Sequence, residues 1–144
     1  MDKGKVATAT TSIEADRHAV WLALVDHDAL RAYMFGADVQ SDWQEGSDIR
    51  WRGEMHGKRY EDKGKVLRAQ PDELLQYSHF SPSAGKPDAP ENYHTVTIRL
   101  AGEGDRTEVS LSQDNNADDK ARAESQKNWT AMLEGLKTWV EQHH

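Results

Sequence analysis

The chain of 144 residues contains no cysteine. That excludes disulfides, thiolate metal sites and cysteine nucleophiles. Long apolar runs are missing too, and nothing approaches the roughly 20 residues that a membrane-spanning helix needs. The opening MDKGKVATATTS has no apolar core of a secretory signal, so a cytoplasmic protein is expected. Positive charge is in deficit, with 18 Lys and Arg against 25 Asp and Glu and a net charge of −7. A nucleic-acid binder would carry a dominant basic surface, and a protein docking on anionic lipid a basic cluster. Neither nucleic acid nor membrane is therefore expected as a partner.

Metal and nucleophile signals are equally sparse. Glu54 and His56 stand two apart and His94 follows Tyr93, but no HxH, HExxH or carboxylate cluster supplies three or four convergent ligands. Ser78, Ser81 and Ser83 lack the GxSxG setting of a nucleophile elbow. No glycine-rich loop leads from a strand into a helix. No metal or cofactor is expected, no catalytic residue is assigned, and His143 and His144 are given no function.

What is present is periodicity. The hydrophobic share is 36% and the charged share 30%, yet the apolar residues recur in patterned runs. This predicts a folded domain, and the length suits a single one over 1–144. KVATATTSI (5–13) is rich in β-branched residues and predicts a strand. Residues 14–26 turn helical, with Asp16 as N-cap and Ala19, Val20, Ala23 and Leu24 on one face. A second short helix over 27–35 stops near Gly36.

The period then changes to two. Residues 47–55 alternate Ile49, Trp51, Gly53 and Met55 against Asp48, Arg50, Arg52 and Glu54. After a turn at 56–59, residues 60–69 place Tyr60, Asp62, Gly64 and Val66 on one side. A turn at 70–73 leads to a strand over 74–80, where Leu75, Tyr77 and His79 share a face. Residues 81–92 hold three of the four prolines and form the one long loop. Strands follow at 94–102, with Val96, Ile98 and Leu100 inward, and at 107–114, with Val109, Leu111 and Gln113 inward.

From about Asp118 the chain is helical to its end, roughly 25 residues or about 37 Å. Its NWTAMLEGLKTWVEQ segment carries Trp129, Met132, Leu133, Leu136, Trp139 and Val140 in an apolar stripe around Gly135. Consecutive strands with segregated helices define an α+β domain with an antiparallel sheet, the long helix lying across its apolar face. Gly135 costs about 1 kcal/mol against alanine in mid-helix, and close packing is the simplest offset.

TSIEADRHAVWLALVDHDALRAYMF resembles the opening of the SRPBCC superfamily, the START and birch-pollen-allergen-like helix-grip fold. EGSDIRWRG, YEDKGKVLRAQPDELLQYSH, and VTIRLAGEGDRTEVSLSQDN through NWTAMLEGLKTWVE are similar to the family named for the activator of heat-shock-protein-90 ATPase. The resemblance covers residues 6 to 141. It implies a sheet curled around the C-terminal helix, two short helices after the first strand, and a hydrophobic cavity between helix and sheet.

Under that model Trp51, Tyr60, Tyr77, His79, Val96, Ile98, Leu111, Trp129, Met132, Leu133 and Leu136 form the ligand-binding set. Each also reads as ordinary core, since aromatics dominate cores. The first functional reading is a protein that binds a hydrophobic or aromatic small molecule. The alternatives are a chaperone-linked interaction module with a stress-response role, and a cyclase- or hydrolase-like enzyme using the same cavity. His79 and Asp62 are the polar candidates for orienting a ligand or moving a proton. The loop at 81–92 could gate the cavity, and Trp43 is expected to pack over helix residues 27–35. Monomer and homodimer stay open.

Overall fold

A computed structural model describes residues 4–55, 57–82 and 85–143. His56, Ser83 and His144, weighed above, lie outside the described residues, as does the Met55 side chain. The order is β1 (Lys5–Ile13), α1 (Arg17–Val25), α2 (His27–Tyr33), β2 (Asp38–Gln40), β3 (Asp48–Met55), β4 (Lys58–Gln70), β5 (Leu74–His79), β6 (His94–Ala101), β7 (Thr107–Asn116) and α3 (Asp119–His143).

The seven strands form one antiparallel, curled and unclosed sheet in the order β1-β7-β6-β5-β4-β3-β2. With α3 in its grip and two short helices after β1, this is the helix-grip architecture expected from the sequence. The alternation of period two becomes burial. Ile49, Trp51, Val66, Leu75, Tyr77, Val96, Ile98, Val109 and Leu111 are buried on the inner face, while Arg50, Arg52, Glu61 and Lys65 face solvent. A register shift between Val66 and Arg68 leaves Leu67 as the odd residue of β4, 42% exposed. Such a bulge bends its strand.

Several boundaries differ from the periodic reading by one to three residues, and one short strand was not expected. The first helix begins at Arg17, because Asp16 accepts the Ala19 N–H at 2.8 Å and leaves residues before it outside. The second ends at Tyr33, with Asp26 as its N-cap, accepting from Ala29 N–H at 2.8 Å. The short β2 has no sequence signal of its own, and only its pairing of Val39 with Trp51 makes it a strand. β4 starts two residues early, since Lys58 pairs with Met55 across a tight hairpin.

The stripe on α3 divides as an amphipathic helix should. Met132, Leu133, Leu136 and Val140 are buried, and Trp129 and Trp139 are half-buried against the same core. A Cβ on Gly135 would lie 3.1 Å from Tyr33 Cβ. The glycine therefore lets α3 approach α2, the close packing expected for it. Lys137 Nζ donates to the Ser12 carbonyl at 2.7 Å, and the Glu141 carboxylate accepts the Glu14 N–H at 2.9 Å, tying α3 to the end of β1.

Candidate functional site

The space between helices and sheet is almost filled. A void of about 20 Å³ remains, room for one water-sized group. Leu24, Leu30, Tyr33 and Met34 roof it from α1, α2 and the residue after α2. Trp51, Leu75, Tyr77 and Ile98 form the sheet side, Met132 comes from α3, and Trp43 closes it from the loop before β3. Met34 and Trp43 are only partly buried. Trp43 shares the void's lining with Leu30, Tyr33 and Met34, and its backbone stands at φ 58°, with its N–H on Ser41 Oγ at 3.0 Å. Phe35, beside Met34, also has φ 58° and is 70% exposed. Bulky residues in that left-handed region carry backbone strain.

Two tyrosines stand at this void. Tyr33 donates its hydroxyl to the Ala23 carbonyl at 2.9 Å, and burial pushes its pKa well up. Tyr77 is 5% exposed, and burial alone raises its pKa. No hydrogen bond joins its hydroxyl to another described residue.

Further along the inner face runs a polar row. His79 Nε2 donates to Asp62 Oδ2 at 2.9 Å, and its ring packs edge-on against Trp51 at 4.9 Å between centroids. The β4–β5 pairing explains the meeting: Val66 pairs with Tyr77 and a bridge joins Lys63 to Phe80, which brings Asp62 and His79 to the same stretch of the inner face. The Tyr60 ring lies over Gly53, where a Cβ would meet its hydroxyl at 2.6 Å. Burial raises the Tyr60 pKa, and the nearby Asp62 charge adds to the rise. His94 Nδ1 donates to the Asp114 carbonyl at 2.9 Å. Trp129 Nε1 donates to Gln113 Oε1, so the inward glutamine is satisfied by α3.

The expected ligand set thus separates into three groups. Trp51, Tyr77, Ile98 and Met132 line the void. Val96, Leu111, Leu133 and Leu136 are buried core beside it. Tyr60, His79 and Trp129 belong to the polar row, half-buried. The expected set did not include Leu24, Leu30, Tyr33, Met34, Trp43 and Leu75, which also line the void. Their signal was weak, because helix periodicity gives a face but not which sheet residues that face meets.

The described part of the long loop folds on the outer face. Asp88 receives Lys63 Nζ and the Tyr93 hydroxyl, and Tyr93 stacks on Phe80 at 5.0 Å. An open groove of about 490 Å³ there is lined by Arg50, Lys63 and Lys65, among others. Each of these cations is already paired, with Glu61, Asp88 and Asp48 respectively. A second open groove, about 500 Å³, lies between α1 and α3 beside Leu22, Trp139 and His143. Among the described residues, no three His, Asp or Glu side chains converge as metal ligands, and no helix is long and apolar enough to cross a membrane.

Comparison with known proteins adds a lineage to this geometry. The family model described as activator of Hsp90 ATPase homolog 1-like protein matches residues 14–141. The solution structure of ChR145 from Cytophaga hutchinsonii is 51% identical, covering 99% of this chain and 97% of that one, with a TM-score of 0.85. The Aha1 dimer from Colwellia psychrerythraea is 19% identical over 95% of this chain and 96% of that one, with a TM-score of 0.74. CalU16 from Micromonospora echinospora is 21% identical over 94% of this chain and 85% of that one, with a TM-score of 0.69. The last two likenesses concern the fold. No curated protein matches the chain.

Proposed function

The chain belongs to the activator of Hsp90 ATPase homolog 1-like family, and from that membership we propose that it binds a hydrophobic or aromatic small molecule between α3 and the sheet. The observation that carries this reading is the placement of Met34 and Trp43. Both close the same apolar void, both are partly buried, and each sits on or next to strained left-handed backbone.

Volume decides how binding would proceed. A benzene-sized guest occupies a cavity of about 150 Å³, far more than the 20 Å³ here. Entry therefore requires Met34 and Trp43 to swing out, exchanging their contacts for contacts with ligand. Apolar burial supplies the affinity, near 25 cal/mol per Å² before ordering costs. The Tyr77 hydroxyl and His79 orient the guest.

The test is an amide chemical-shift titration of the protein with naphthols, flavonoids and fatty acids. Saturable shifts should cluster at residues 34, 43, 51, 77, 98 and 132. Shifts that never saturate, or that spare these positions, would remove the cavity reading. The runner-up is a chaperone-linked module, for which the apolar groove beside the 51%-exposed Leu22 is the available surface. A Leu22→Asp variant that loses capture of a purified heat-shock-protein-90 chaperone, while its cavity titration stays silent, would favour it. Within either reading the protein works in the cytoplasm, as a monomer or a homodimer.

A further inference from the structure

Asp62 is a carboxylate on the inner face of β4, with its side chain only 13% exposed. A buried carboxylate is costly unless its oxygens receive hydrogen bonds. One oxygen, Oδ2, receives His79 Nε2 at 2.9 Å. The other, Oδ1, is buried and accepts nothing from any described residue. His79 cannot serve both oxygens, because its Nε2 carries one proton and its ring is set edge-on to Trp51. Tyr60, two residues earlier on the same face, feels the Asp62 charge without donating to it.

Position gives the orphan oxygen a use. Asp62 lies directly across from Trp51 in the β3–β4 register, and Trp51 also lines the void. Asp62 does not itself line the void, but a guest that stacks on Trp51 and reaches past it along the inner face meets Asp62. An acceptor there rewards a donor and repels an anion.

Resting on the binding reading above, we infer that the ligand carries a hydrogen-bond donor at one end, a phenol, alcohol or ammonium, and that Asp62 Oδ1 receives it. Molecules headed by a carboxylate, fatty acids among them, are selected against. His79 is a positioning residue that holds the carboxylate in place from the other side.

The experiment compares 2-naphthol, 2-methoxynaphthalene and 2-naphthoate by calorimetric titration of the wild-type protein. The three share one ring system and differ in the head. Without a polar partner the ether binds best, since it gives up least on leaving water. With Asp62 as acceptor, 2-naphthol binds roughly tenfold tighter than the ether or better, the size of one hydrogen bond to a charged group. The naphthoate binds weakest.

In Asp62→Asn the side-chain carbonyl takes the His79 proton and the amide nitrogen points where Oδ1 was. The preference for naphthol over the ether then falls to about one. Equal binding of naphthol and ether to wild type overturns the inference and leaves the cavity reading standing. A naphthol preference that survives Asp62→Asn places the acceptor elsewhere and overturns the assignment of Asp62. Failure of all three probes to bind removes the cavity reading, and this inference with it.

Discussion

Single residues decide two close approaches in this fold. A Cβ at Gly64 would fall 1.8 Å from the Ser78 carbonyl oxygen. Both atoms belong to paired strands, so neither can yield without loss of register. Gly64→Ala should destabilise by more than about 3 kcal/mol, at the upper end of overpacking costs, or fail to fold, as read by urea denaturation. Gly135 is subtler. Alanine there gains about 1 kcal/mol of helix propensity, but its Cβ meets Tyr33 at 3.1 Å. Tyr33 is buried and anchored through its hydroxyl to Ala23, so it yields little. Gly135→Ala should therefore show none of the propensity gain in a thermal melt, and Gly135→Val should lose about 1–3 kcal/mol. A clear rise in melting temperature for Gly135→Ala would mean that α2 moves freely.

At the scale of elements, α2 is held by polar ties at its start. Asp26 caps it, and Asp26→Ala should cost about 1 kcal/mol, measurable by chemical denaturation. His27 links it to β2 through Asp38, 2.5 Å from Nε2. The hydrogen bond to Asp38 raises the His27 pKa above 6.5, against a smaller loss from desolvation and with help from Asp28. The same bond is the main cause of the lowered Asp38 pKa, with Arg31 and Gln40 assisting. A raised histidine pKa stabilises fully below the ordinary value of 6.5 and stops doing so as pH rises through the folded value. From the Asp38 side, stability fades as pH falls through the lowered carboxylate value. The wild-type melting temperature should accordingly drop relative to His27→Gln between about pH 6 and about pH 8. Parallel curves for the two proteins would show that the pair contributes nothing, a common result for exposed ion pairs.

At the scale of the whole molecule, the core among the described residues is nearly solid, with a small void at the seam between the two short helices, α3 and the sheet. Met132 reaches the seam from α3 and is 2% exposed. Met132→Ala should cost about 2–5 kcal/mol through lost burial and the enlarged cavity. The same change should raise affinity for 2-naphthol, because room is made without moving Met34 or Trp43. Calorimetry on the variant checks both effects, and an unchanged affinity would place the binding site away from the seam. Met34→Trp should act in the opposite sense, crowding the entrance beside Trp43 and weakening 2-naphthol binding in the same calorimetry.

The local sequence determined the periodic elements. β1, the β3–β7 meander and α3 all follow from spacing, because a strand with one buried face must alternate and a helix on a sheet must carry an apolar stripe. Asp16 marked the start of α1 for a reason contained within one turn of chain, its side chain accepting the Ala19 N–H, whereas α2 ends at Tyr33, before the Gly36 stop. β2 had no such signal, since three residues carry no period and only pairing with β3 makes them a strand. The site divides along the same line. Trp51, Tyr77, Ile98 and Met132 were legible as inward residues, but inwardness does not say whether a neighbour leaves space. Void volume depends on how Tyr33, Met34 and Trp43, from the end of α2 and the loop before β3, fit against the sheet. The pairing of His79 with Asp62 and the orphan Oδ1 likewise required the β3–β4–β5 register. Contacts across strands and layers are set by packing, which no local period encodes.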